Sequence, residues 1–323
     1  MARERAMVPE AEFSSYYGRP VIKAPIWHEP HMPLYLYLGG VSGACALSAA
    51  LEELQPRPHG RLGTLARLGA ALGAVLGTGF LIAELGRPER FLNMMRVFKP
   101  TSPMSMGSWL LAAQGGLSTM AAASAVTGVL PGAGRAAALS LGVTGPLMAT
   151  YTAVLIADTA VPAWHEARHE LPFLFGGSAM AGAGALGMLA TLARPEEAAP
   201  VRRMAVFGAA LETAAGAVME RRLGLVAEPY RREPLMRAAR LLAVGGGALA
   251  ALSALPSRRG GGRVLGPALA AAAAAALTAG ALCTRFGVLR AGRASAEDPA
   301  YTIIPQRQRL TAAGRGTEGG SAQ

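Results

Sequence analysis

Charge is scarce in this chain. Of its 323 residues only 16% are Asp, Glu, Lys or Arg, against 52% hydrophobic, and the mean hydropathy is +0.32. These values fit a membrane protein and not a soluble globular domain. Cysteine is scarcer still. Cys45 and Cys283 each fall in an apolar run, with no CxxC pair or Cys/His cluster. That excludes a disulfide scaffold and argues against an iron–sulfur cluster held by this chain. Histidine is missing from the interior of every apolar run: all five histidines lie in connecting segments or at run ends. A membrane b-type haem takes axial ligands, usually histidines, from inside facing helices, so none is expected here. The net charge of +11 is dispersed over short segments. Nucleic-acid binding needs a continuous basic face, so that class is set aside. Nor does a basic start lead directly into an apolar core. Pro9, Pro20, Pro25, Pro30 and Pro33 break a polar opening, and no cleavable signal is expected.

What is present is a series of apolar runs. A bilayer span takes about 20 mostly apolar residues. Eight candidates run near 34–51, 63–83, 107–129, 136–157, 172–192, 203–219, 238–255 and 264–284, the first and sixth being short or weakly apolar. The expectation is an all-α integral membrane protein. An extramembrane segment (1–33) precedes the eight-helix region (34–290), and a C-terminal tail (291–323) follows. The spans are rich in Ala and Gly, which let helices approach closely. Gly69, Gly73 and Gly77 recur every four residues and read as a packing ridge.

Eight spans put both termini on one side, side A. Side A then holds residues 1–33, the 84–106, 158–171 and 220–237 connections, and the tail. Ten of the 31 Lys and Arg residues fall on side B and the remaining 21, both lysines among them, on side A. The positive-inside rule then makes side A cytoplasmic. Side A also gathers His28, His31, His165, His169, Trp27, Trp164, Glu84 and Asp158, while side B is short and chemically bland. One working face is expected.

Several groups on or near that face carry chemistry. WHEARHE contains an HExxH spacing, His165–Glu166–His169, but Pro162 and Pro172 bracket it tightly and no third ligand is evident. A solvated interfacial turn is the preferred reading. Acids in or at the edges of spans say more, because a carboxyl in hydrocarbon costs a few kcal/mol and usually faces a bundle interior or polar cavity. Glu212 lies mid-span, Asp158 closes the fourth span and Glu84 closes the second. Proton handling or ligand binding is expected of Glu212 and Asp158, and pairing with Arg87 or Arg90 of Glu84. Tyr151 sits six residues, roughly 9 Å by helical rise, inside the fourth span from its side A end. A buried phenol at that depth suits a hydrogen bond to a carbonyl. Trp27 and Tyr37 fit an interfacial aromatic belt.

Four stretches carry a family resemblance: YYGRPVIKAPIWHEPHMPLYLYLGGVSGA, ELGRPERFLNMMRVFKPTSPMSMGSW, YTAVLIADTAVPAWHEA and the tail AYTIIPQRQR. In this combination the chain resembles the NrfD/polysulfide reductase membrane-subunit family. The resemblance implies two four-helix bundles. It implies a plasma-membrane anchor for a ferredoxin-type iron–sulfur subunit, itself paired with a molybdopterin-type catalytic subunit. It implies a quinone site (menaquinone or ubiquinone) near the partner face, with no haem or iron–sulfur cluster in this chain. The matching positions for that site are the His28/His31/Tyr35 region and Tyr151, with Asp158 close by in sequence. Proton transfer falls to Glu84, Asp158 and Glu212, the last extending a path across the membrane. Partner docking falls to Arg87, Arg90, Arg96 and Lys99 of the 84–107 stretch. The alternatives are a purely structural anchor or, less well supported, a transporter of ions or small molecules.

Overall fold

A computed structural model describes residues 21–55, 60–87, 89–255 and 262–319. Tyr16 to Pro20 of the first motif and Pro88 lie outside these residues. Among the described residues the chain is helical, with no strand. In order the helices are α1 (His31–Glu53), α2 (Gly60–Glu84), α3 (Arg90–Met94), α4 (Pro103–Thr127), α5 (Pro131–Ala157), α6 (Pro162–Glu166), α7 (Leu171–Ala190), α8 (Ala199–Arg222), α9 (Glu228–Arg232), α10 (Pro234–Leu252), α11 (Gly262–Glu297) and α12 (Ala300–Gly319). Eight long helices stand where the eight apolar runs were read. Six of them (α1, α2, α5, α7, α10 and α11) are long and apolar enough to cross a membrane. The chain is an all-α, multi-pass membrane protein.

The remaining two of these eight, α4 and α8, are less apolar: α4 carries polar residues that turn inward, and α8 carries exposed arginines near its ends (Arg203, Arg221 and Arg222) besides the buried Glu212. Gln114 of α4 donates to Ser42 Oγ of α1 at 3.2 Å and accepts from Thr144 of α5 at 2.7 Å. Ser42 in turn donates to the Ala70 carbonyl of α2 at 2.7 Å. Four helices are thus tied through one buried polar network, whose members are satisfied by one another in a low-dielectric interior. α8 carries Glu212 into the interior in the same way.

The helices form two four-helix groups: α1, α2, α4 and α5, then α7, α8, α10 and α11. Small residues set the crossings. A Cβ on Gly43 would lie 2.4 Å from the Gly145 carbonyl oxygen, and one on Gly145 would lie 2.6 Å from that of Gly43. Backbone meets backbone there, as membrane helices allow only with small residues. The Gly69, Gly73 and Gly77 ridge faces Cys45, Ser42 and Leu38 of α1, so it packs as expected. α7 and α1 form the main seam between the groups, joined by α5 and α11.

Two expectations are corrected here. The last span does not end at 284; α11 continues unbroken to Glu297, which places Arg285 inside the fold and fully buried. Tyr37 is not in an interfacial belt. It is 8% exposed and lies beside Gly182 of α7, in the seam between the groups. Trp27 stacks on Trp164 with ring centroids 5.3 Å apart.

Candidate functional site

At the side A end of the first helix group the start of α1, the end of α2, the start of α4 and the last turns of α5 diverge. They leave a cavity of about 230 Å³. Its walls are largely apolar: Met32, Leu81, Leu85, Met104 and Leu155, with Ile26, Trp27 and Met94 closing it from above. Its polar groups are few: Tyr35, Tyr151, His28, Glu84 and Ser108. A concave apolar pocket with a small number of placed polar groups is the usual form of a small-molecule site.

Each polar group is set by its helix. Tyr35 is one turn into α1 and 2% exposed. Tyr151 lies near the end of α5, and its phenol rests against Gly107 of α4. A Cβ on Gly107 would stand 1.7 Å from the Tyr151 hydroxyl oxygen and 1.8 Å from its Cζ. Only glycine lets the ring occupy that place. Gly107 is delivered by the N-terminus of α4, where Ser102 caps the helix and Pro103 takes the first helical position. Ser105 then folds the preceding loop back onto the helix. It accepts from the Lys99 N–H at 3.0 Å and donates to the Val97 carbonyl at 2.8 Å. Phe98 meets Trp109 edge-on at 6.1 Å.

The N-terminal segment is fastened over the cavity at three points. The His28 N–H donates to Glu84 Oε1 at 2.8 Å, and its ring Nδ1 lies 3.3 Å from the same oxygen. Glu29 binds Arg290 at 2.7 Å and lies 3.5 Å from Arg293. The Arg290 hydrogen bond and the charges of both arginines hold the Glu29 carboxyl below the usual glutamate range, against the opposing pull of partial burial. The third point is the Trp27–Trp164 stack. Trp164 is itself fully buried, donating to the Val288 carbonyl at 2.7 Å.

The expected site residues divide as follows. His28, Tyr35, Tyr151 and Glu84 share the cavity wall. His31 does not line it but backs it, its Nδ1 3.8 Å from Glu84 Oε2 and its ring beside Phe80. Glu84 therefore pairs with His28 and His31, and not with Arg87, the one of its two expected partners whose side chain is described. That follows because the N-terminal segment folds down onto the end of α2. Asp158 is exposed at the C-terminal cap of α5 and is not part of the wall. Arg87, Arg96 and Lys99 are exposed; the Arg90 side chain lies outside the described residues. Glu212 belongs to the second helix group. It is 5% exposed and accepts a hydrogen bond from Thr284 of α11.

Arg285 is a fully buried charge that the sequence did not single out. It lies in the seam, donating to the Phe175 carbonyl at 2.9 Å and the Leu36 carbonyl at 3.4 Å, its guanidinium 3.8 Å above the Phe175 ring. It lies within electrostatic reach of the Glu212 carboxyl. Its signal in the sequence is continuity: TRFGVLRAG contains no Pro to end a helix. Met94, Met104 and Gly107 were legible only as members of a motif. The HExxH spacing forms no helical pair, because α6 stops at Glu166 and His169 falls in the following turn. Glu166 instead pairs with Arg309, and its carbonyl accepts from Arg222. Among the described residues no group of three or more His, Cys, Asp or Glu is placed to hold a metal ion.

A family model described as polysulphide reductase, NrfD, matches residues 20–195. No curated protein matches the chain. The matched residues make up more than half of the chain and contain the cavity and all its lining residues. The tail AYTIIPQRQR lies beyond them. The chain belongs to the NrfD family, whose members are membrane subunits of quinone-linked oxidoreductase complexes.

Proposed function

We propose that this NrfD-family chain is the quinone-reactive membrane subunit of its complex and that the quinone headgroup lodges in the cavity between α1, α2, α4 and α5. The single observation that carries the reading is the convergence of Tyr35 and Tyr151, from two different helices, on one apolar cavity at the working face. A quinone offers a flat apolar ring with two carbonyl acceptors, and phenol hydroxyls are donors suited to them. The buried Glu84 Oε2, which has no hydrogen-bond partner among the described residues, further fits a polar ligand atom there.

When bound, the quinone supplies two-electron, two-proton redox chemistry. This chain's residues hold and orient it and manage protons. Tyr35 and Tyr151 donate to the headgroup oxygens. The apolar walls exclude bulk water. Glu84, touching His28 and His31, passes a proton between the cavity and the side A surface. Asp158, exposed beyond the cavity, exchanges protons only with solvent.

Electrons pass to or from a ferredoxin-type iron–sulfur subunit docked on side A, and through it a molybdopterin-type catalytic subunit. The exposed Arg87, Arg96 and Lys99 suit an acidic partner surface. α1, α2, α4, α5, α7, α8, α10 and α11 cross the plasma membrane, with side A cytoplasmic. Removing Arg285 from the loop charges leaves the excess of basic residues on side A intact.

The test is Tyr151→Phe in the assembled complex. Losing one hydrogen bond in a dry site should cut quinone-linked turnover roughly tenfold, with assembly unchanged. Wild-type turnover in that variant overturns the site. Unchanged turnover in a Tyr35→Phe, Tyr151→Phe double variant would make the chain a structural anchor only.

A further inference from the structure

Glu212 stands apart from the quinone cavity, and its surroundings have a feature of their own. Glu212, Gly216 and Glu220 follow one another at four-residue spacing along one stripe of α8. They line a narrow cleft closed by Met236, Ala239 and Arg240 of α10, Leu174 of α7 and Thr284 of α11. The cleft volume is about 30 Å³, room for about one water molecule, and it has the polar partners such a water needs. Glu220 lies close to the side A end of α8, roughly 12 Å from Glu212 by helical rise. It pairs there with Arg240, with Arg231 4.0 Å away. The stripe has its opening at Gly216: a side chain there would enter the cleft, its Cβ meeting only Leu174 Cδ1 at 3.5 Å.

The inner end is closed. Thr284 donates to Glu212, and Ser178 of α7 is fully buried beside it. Arg285 lies near them, fixed to the carbonyls of Leu36 and Phe175, with Tyr37 of α1 also in electrostatic reach. A fixed buried cation is a barrier to a proton moving further.

We propose that Glu212 is a proton-loading site served from side A alone, through a one-water cleft whose mouth is the Glu220–Arg240 pair. Glu212 takes a proton from the cleft water and returns it by the same route. Arg285 stabilises the carboxylate when the proton is absent and blocks onward transfer toward side B. The expectation of a path across the membrane through Glu212 is thereby replaced by a dead-ended half-channel. The proposal stands on the cleft geometry and does not rest on the quinone reading.

The experiment is infrared spectroscopy of the full chain in lipid nanodiscs, following the carbonyl stretch of a neutral carboxylic acid after exchange into D₂O. A band lost in Glu212→Gln identifies this residue. The proposal expects that band to appear on acidification and to shift promptly in D₂O. Gly216→Leu, which fills the cleft, should slow the shift about tenfold or more, and Glu220→Gln should slow it less. Gly216→Ala, which the available space accommodates, provides the same reading if the leucine variant does not fold. Absence of a Glu212 band at any pH at which the protein is folded overturns the proposal. So does a band that does not exchange, or one whose exchange is unaffected by every Gly216 and Glu220 variant.

Discussion

The phenol of Tyr151 occupies the space that a side chain on Gly107 would fill, with a Cβ there only 1.7 Å from the hydroxyl oxygen. α4 and α5 are thus matched at one residue pair, and the match points the phenol into the cavity. Gly107→Ala must push the ring aside. Overpacking of this kind costs about 1–3 kcal/mol. The expected result is a lower melting temperature together with loss of quinone-linked turnover. In a Tyr151→Ala background the same glycine change should cost little, since the ring it displaces is gone. Equal costs in both backgrounds would show that the two residues are not in contact.

Glu84 has two roles that substitution separates. Its carboxylate holds the His28 N–H at 2.8 Å and so fastens the segment that closes the cavity. Glu84→Gln keeps an acceptor and removes the titrating group; Glu84→Ala removes both. Hydrogen exchange of residues 21–30 should be unchanged in the glutamine variant and faster in the alanine variant. Turnover should fall in both, with KM raised only in the alanine variant.

Much of this arrangement was legible beforehand. Eight apolar runs correspond to eight long helices; Tyr151 and Glu84 stand out by their place near one end of those runs, and Tyr35 and His28 by the family resemblance. Their partners were not. Glu84 was expected to pair with an arginine a few residues away, but its true partners, His28 and His31, are distant in sequence and reach it because the N-terminal segment folds back. Arg285 looked like a loop residue because positive charge normally ends a span. The carbonyls of Leu36 and Phe175, on two other helices, the Phe175 ring beneath it and the nearby Glu212 carboxyl make its burial tolerable. Gly107 had no periodicity to mark it; its role depends on a ring from another helix.

Arg285 should be costly to remove. Arg285→Met removes the positive charge near Glu212 and the guanidinium hydrogen bonds to two helix carbonyls. Losing hydrogen bonds from a charged donor typically costs about 1.5–3 kcal/mol. Adding Glu212→Gln should recover part of that loss, because the uncompensated charge disappears. Arg285→Lys should not restore stability, since an ammonium lacks the planar fork that reaches both carbonyls. Thermal unfolding of the single and double variants in detergent checks all three outcomes.

The Glu29 pairing carries a pH signature. Arg290 and Arg293 hold this carboxyl below the ordinary glutamate value of 4.5. Its contribution is therefore fully present above that value and disappears as pH falls through the lower folded-state value. Partly exposed pairs of this kind contribute below about 1 kcal/mol. The stability difference between wild type and Glu29→Gln should be constant near neutrality and shrink toward zero in acid. A difference that grows on acidification would mean that the arginines do not stabilise the charged form.

The central claim is that quinone occupies the cavity between α1, α2, α4 and α5. It is tested most directly by photolabelling the intact complex with an azidoquinone and mapping the labelled peptides by mass spectrometry. The account predicts labelling at cavity residues such as Met94, Met104 and Tyr151, suppressed by excess unlabelled quinone and weakened in Tyr151→Phe. Competable labelling confined to other helices, with these residues unmarked, would contradict it.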